Sequence, residues 1–254
     1  MVQSGIEGGL FYEVHEGPDD APVVILSPGL DGSGAFWAPQ MKALTRRFTV
    51  VLYDHRGTGR SERTIPHPYF VQDMGDDIVQ LMDALGLQTA HVAGLAGLSM
   101  ALNHPDRIDR LCVVNGWTRP DPHMARCFKA RVSLLQDIGA EAYVSAEPIF
   151  LYPANWISEN TARIRSEEPR MVAAFPTAEV TLTRIQALLA FDIDARLPDI
   201  KAPVLVSASA DDMLVPVLCS RRLAERLPNA ALDVAPWERF NRVLSAFLAG
   251  EPPP

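Results

Sequence analysis

The spacing of apolar residues is the strongest constraint on what this chain can fold into. Short β-branched runs alternate with amphipathic segments of helical length. The run Val23-Val24-Ile25-Leu26 is apolar at every position. That suits a strand covered on both faces better than one with a wet side. Strands are predicted over 10–15, 22–27, 48–53, 89–93, 111–115, 203–207 and 231–235. A helix bearing Trp37, Met41 and Leu44 follows the second of them. Another is predicted over 71–85, with Val71, Met74, Ile78, Met82 and Leu85 on one face and Gly86 as its stop. Phe240, Val243, Leu244, Phe247 and Leu248 mark the inner face of a last helix. Strands separated by helices give the α/β class, a mostly parallel sheet with helices on both faces.

One stretch breaks the alternation. From about Pro120 to Ala195 no strand pattern occurs, only helical patterns separated by Gly139, Pro148, Pro153, Pro169 and Pro176. Eight of the chain's 19 aromatic residues lie between Trp117 and Phe191. A helical, aromatic-rich insertion after a sheet strand reads as a cap over the carboxyl ends of the strands, where open α/β sheets bind ligands. A helical subdomain packed for its own stability is the plainer alternative. The expected organisation is a core of residues 1–118 and 196–250, a helical cap over 119–195 and a disordered tail over 251–254.

Composition narrows the function. With 31 acidic against 23 basic residues, the surface repels nucleic acid. No apolar run is long enough to span a bilayer, and the first residues lack the pattern of a secretory signal. Cys112, Cys127 and Cys219 are an odd number without metal-binding spacing, which fits a reducing cytoplasm. No metal or other cofactor is expected.

Ser27-Pro28-Gly29-Leu30-Asp31-Gly32-Ser33-Gly34 follows a predicted buried strand. Its glycines let backbone N–H groups converge, as an oxyanion hole requires; a plain strand-to-helix turn is the alternative. Asp54-His55-Arg56-Gly57-Thr58-Gly59-Arg60-Ser61 closes the next strand. An Asp-x-Arg-Gly-x-Gly-x-Ser segment in this place resembles α/β-hydrolases, in which the Asp and Arg hold the loop. Asp54 and Arg56 are accordingly structural, and His55 is expected to be exposed. In Asp211-Asp212-Met213-Leu214-Val215-Pro216, Asp212 has the spacing to Pro216 of the acid that orients a catalytic histidine in such proteins. Two acids capping the following helix would serve as well.

The resemblance extends to a particular family. Asn115-Gly116-Trp117, His123-x-x-Arg126-Cys127-Phe128 and Phe150-Leu151-Tyr152-Pro153-Ala154-Asn155-Trp156 closely resemble the cap of the RutD family, α/β-hydrolase-fold proteins of the Rut pyrimidine-degradation pathway. The turn at 28–37, the loop at 54–59 and residues 209–216 with Cys219 agree, so the likeness covers nearly the whole chain. It implies hydrolysis of carbamate or 3-aminoacrylate with release of ammonia, a step that also proceeds spontaneously. It places a backbone donor at Leu30 N–H beside Gly29, an acid at Asp212, and a small pocket walled by Trp117, Phe150 and Trp156. His123 would line that pocket and Arg126 would pair with an anionic substrate. The implied partner is a small molecule, with a homodimer as an open option. A non-catalytic binding or scaffold protein of the same fold, and a generic small-ester or amide serine hydrolase lacking its elbow and His loop, are the alternatives.

Two departures from the pattern lie on one rim. A nucleophile elbow should follow the 89–93 strand, yet no Gly-x-Ser-x-Gly occurs and residues 94–105 are about five residues short of an elbow and its helix. After the 231–235 strand the loop that should carry a catalytic histidine is missing, a loss on the order of ten residues. All six histidines precede residue 124. Ser33 and Ser99 have no plausible histidine partner, and His91 is expected to be packed in its strand. A shortened elbow helix is expected to expose Leu98, Met100 and Leu102. Either two rim loops have been cut from the chain, by omission or by design, or this is a homologue that never had them.

Overall fold

The computed structural model describes residues 1–234 and 237–251. Among them are eight strands: β1 (Val2–Glu7), β2 (Leu10–His15), β3 (Val23–Leu26), β4 (Thr49–Tyr53), β5 (Ala90–Ala93), β6 (Ile108–Val114), β7 (Val204–Ala208) and β8 (Ala230–Val234). They form one sheet in the order β1-β2-β4-β3-β5-β6-β7-β8. From β4 to β8 every pairing is parallel, while β1 and β2 add antiparallel strands at one edge. The predicted strands all form, with ends shifted by up to three residues; the predicted end at Ala235 lies outside the described residues. β1 has no apolar run to betray it. It forms because Gly8 and Gly9, at φ +56 and +84, close a two-residue hairpin onto β2.

Alternation along the strands feeds two cores. Ile25, Val51, Val92, Leu111 and Val206 point to one face, under α2 (Val71–Ala84) and α3 (Ala96–Asn103). Val24, Val50, Leu52, Ala93, Cys112 and Leu205 point to the other, against Trp37, against Leu44 of α1 (Ala38–Leu44), and against Val243, Leu244 and Leu248 of α9 (Trp237–Leu248). Burying both faces is what the apolar strands required. At the other end of the chain, Glu251, expected in the tail, pairs with Arg47 at 3.1 Å, and the rest of the expected tail lies outside the described residues.

The stretch between β6 and β7 carries four α-helices, α4 (Pro122–Ser133), α5 (Ala140–Leu151), α6 (Ala154–Ala174) and α7 (Ala178–Ala190), and α8 (Val217–Arg226) lies between β7 and β8. Pro148 and Pro169 do not separate helices as the sequence suggested; they sit inside α5 and α6. In α6 no residue is fully buried, so a carbonyl freed by Pro169 has water available. No helix among the described residues is long and apolar enough to cross a membrane.

Chain direction across the sheet decides where a site can form. From β3 the chain goes to β4 on one side, and the next strand, β5, pairs on the other side of β3. The crevice outside such a switch point is the expected ligand position. Here it lies between residues after Leu26 and residues after Ala93.

Candidate active site at the strand ends

The turn after β3 is braced from every side. Gly32 N–H donates to Gly29 O at 3.1 Å, and His55 N–H and the Thr58 hydroxyl donate to Gly32 O at 2.7 and 3.1 Å. Gly34 N–H donates to Asp54 Oδ1 at 2.8 Å, and Trp37 Nε1 donates to Ser27 O at 3.0 Å. Asp54 also accepts from Arg60 N–H, while Arg56 pairs with Asp77 of α2 at 2.7 Å and donates to Gly8 O. Asp54 and Arg56 hold the loop as expected. His55 is corrected: it is buried at 1% exposure, with Nε2 3.0 Å from Pro28 O. The ring fills the space beneath the turn, and burial with the nearby Arg184 cation keeps it well below the usual histidine range.

Within this turn Leu30 N–H makes no hydrogen bond among the described residues, and a Cβ placed on Gly29 would meet nothing within 4 Å. A free donor beside open space is what an oxyanion or carboxylate site needs.

The strand end after β5 is bare. Gly94 takes φ +129, and the next residue, Leu95, is already helical at φ −64 and ψ −39. A nucleophile elbow strains a non-glycine residue at the turn. Here the only non-glycine residues at positive φ are Asp20 and Asn115, among the described residues. The expected exposure of α3 is overturned: Leu98, Met100 and Leu102 are 0, 0 and 9% exposed. Gly97 and Gly75 allow the reason, a close approach of α3 to the sheet and to α2. Ser99 is buried in the helix and accepts from Asn103, so it attacks nothing. His91 is packed edge-on to Phe48 within its strand.

At the end of β7, Asp212 Oδ1 accepts from Leu214 N–H at 2.8 Å and Val215 N–H at 2.6 Å. Its Oδ2 accepts from Asn115 Nδ2 at 2.5 Å, and Asn115 Oδ1 accepts from Ser209 N–H at 2.8 Å. Asn115 reaches both from β6 because it adopts φ +46, a conformation asparagine tolerates. Three of about four acceptor positions on the carboxylate are filled, leaving one for a proton or a ligand. Burial raises the Asp212 pKa, against the two backbone donors. Asp212 therefore both holds its turn and keeps a proton more readily than a surface aspartate.

A groove of about 490 Å³ runs beside it, lined by Ile149, Tyr152, Ala154, Ile157, Asp211 and Met213 among others. The neighbours of Asp212 line the groove but Asp212 itself does not, and neither do Leu30, Gly29, Trp117, His123, Arg126, Phe150 and Trp156. Trp117 is buried in the main core. Trp156 stacks on Tyr152 with ring centroids 4.4 Å apart, and Phe150 lies near the Arg131 guanidinium, 5.7 Å from its ring. His123 ties the cap to the Asp212 turn, Nε2 lying 2.7 Å from Met213 O. Arg126 is exposed on α4.

Two charged side chains invisible to the motif reading complete the region. Arg184 of α7 is 2% exposed and donates from Nε to Leu30 O at 2.9 Å and from Nη2 to Gly29 O at 3.1 Å. Glu147 of α5 accepts from Arg131 and lies within hydrogen-bonding reach of Asp31. Burial, reinforced by Asp31, pushes the Glu147 carboxyl up to about 8. Both lie on buried helix faces that carry no other charge, Arg184 among Val180, Thr181 and Ile185 and Glu147 among Tyr143, Val144 and Pro148. That placement was the one available signal. No cluster of side chains suited to a metal ion occurs among the described residues.

Comparison with known proteins follows the same outline. A family model of the alpha/beta hydrolase fold matches residues 22–149. RutD of Caulobacter sp. (strain K31) is 62% identical, covering 98% of this chain and 99% of its own. RutD of Agrobacterium fabrum (strain C58 / ATCC 33970) is 47% identical, covering 94% and 98%. Both names carry carbamate hydrolase as a provisional activity. The first alignment extends over 266 residues against a chain of 254, so that relative has residues with no counterpart here. Among solved structures, the enol-lactonase from Burkholderia xenovorans LB400 has a TM-score of 0.84 at 26% identity, covering 97% of this chain and 100% of its own. By sequence along its whole length and by fold, this chain belongs to the RutD family of α/β-hydrolase-fold proteins.

Proposed function

We propose that this chain accelerates ammonia release from a small carboxylate of pyrimidine degradation, carbamate or 3-aminoacrylate, by proton transfer and without an acyl-enzyme. The observation that carries the reading is Asp212, a carboxyl raised by burial at the end of β7, whose neighbours Asp211 and Met213 line a groove, in a chain whose β5 end offers no nucleophile. The substrate chemistry suits that inventory. Carbamate needs a proton on nitrogen; the C–N bond then breaks, its electrons leave with ammonia, and carbon dioxide remains. In 3-aminoacrylate the proton goes to the enamine carbon, water adds to the resulting iminium, and ammonia departs. Neither route requires a serine. A positioned acid contributes about 10²–10⁴-fold in such steps. The free Leu30 N–H would hold the substrate carboxylate.

The rival reading, a binding protein without turnover, is favoured by the lack of any histidine after His123. Ammonia release from freshly generated 3-aminoacrylate and carbamate separates the two. The proposed function predicts a rate above spontaneous decay that Asp212→Asn lowers by about 10²-fold or more. Decay at the spontaneous rate with wild-type protein supports the rival.

A further inference from the structure

Arg184 is among the largest fully buried side chains, and no acidic residue pairs with it among the described residues. A buried guanidinium is ordinarily paired with a carboxylate. This one is spent on two backbone carbonyls, those of Gly29 and Leu30. Its Nη1 has no partner.

The consequence lies in the geometry of the peptide unit. The Gly29–Leu30 and Leu30–Asp31 bonds are trans, so within each unit C=O and N–H point in opposite directions. Drawing the Gly29 carbonyl onto Arg184 turns Leu30 N–H away from it, and drawing the Leu30 carbonyl does the same for Asp31 N–H. Both N–H groups make no hydrogen bond among the described residues. Open space lies beside Gly29.

We propose that Arg184 is a positioning and specificity-determining residue: its guanidinium fixes the two peptide planes of the 29–31 turn so that Leu30 and Asp31 N–H form an anion-binding pair selective for small carboxylates. The cation behind the turn favours a negative ligand in front of it, and the exposed Asp31 side chain disfavours a large or doubly charged one. Because Arg184 comes from α7, the cap itself sets the donor geometry in the core. This role rests on the reading that a substrate carboxylate sits at the turn, but its test needs no turnover.

Amide spectra of the ¹⁵N-labelled full chain, titrated with acrylate and with neutral acrylamide, supply that test. In the wild type the Leu30 and Asp31 amides move with acrylate and not with acrylamide. Arg184→Met weakens the acrylate response about tenfold or more, while Arg184→Lys, keeping the charge but able to serve the two carbonyls less well, recovers part of it. An Arg184→Met spectrum that stays dispersed and responds at wild-type concentrations overturns the proposal, as does a wild type whose Leu30 and Asp31 amides ignore acrylate. Should Arg184→Met fail to fold, Arg184→Lys decides: a weakened response supports the role and an unchanged one overturns it. Intact acrylate binding without ammonia release would overturn the proposed reaction and leave this role standing.

Discussion

The two strand ends that flank the switch point are built to opposite extremes. After β3, the turn at 27–34 is held by backbone, by Asp54, His55 and Thr58 from the neighbouring loop, and by Arg184 from the cap. After β5, Gly94 alone makes the turn and the helix starts at once. The first end keeps free N–H donors; the second keeps no reactive side chain. The sheet therefore needs only a glycine to pass from β5 into α3. Apparatus beyond that glycine serves chemistry and can be absent while the core still closes, with Leu98 and Met100 fully buried.

The largest expected effect comes from attacking the bare end. A Cβ at Gly94 would lie 2.6 Å from Ser27 O, at a φ of +129 that other residues rarely adopt. Gly94→Ala should cost about 2–3 kcal/mol, read as a lower midpoint in urea denaturation. An unchanged midpoint would mean that the β5 end is not the tight closure described.

The braced end can be loosened from the cap side. Glu147, which reaches Asp31 of the turn, has its folded pKa raised from 4.5 to about 8. An acid held neutral in the fold but ionised when unfolded makes stability fall as pH rises between those two values. Tm should therefore drop by several degrees from pH 5 to pH 8, and Glu147→Gln should flatten that slope. The same slope in the variant would assign the pH dependence elsewhere.

How much of this was legible beforehand follows from where each charge sits. The strand pattern and the helical stretch between β6 and β7 could be read because apolar periodicity reports burial directly, while Asp212 stood out only by its likeness to the acid of α/β-hydrolases. Arg184 and Glu147 could not, since a charged residue in a helical pattern is ordinarily solvated, and only tertiary packing buries it. His55 was placed in solvent for the same reason: its loop is polar, and nothing local shows that its ring lies beneath Pro28. Of the pocket residues implied by the resemblance, Trp156 stacks on Tyr152, Trp117 packs in the main core and Arg126 is exposed.

The smallest expected effect sharpens the contrast between the two arginines. Arg126 is exposed, so Arg126→Ala should change stability by less than about 0.5 kcal/mol and leave the acrylate response of the Leu30 amide within about twofold. A loss as large as that of Arg184→Met would place Arg126 at the anion.

The proposed site, a braced donor turn and an acid, has no serine nucleophile. Intact mass after incubation with an alkyl fluorophosphonate, which labels activated serines covalently, tests it directly. The mass of the whole population should stay unchanged. One stoichiometric adduct, mapped to a serine such as Ser33 or Ser99, would contradict it.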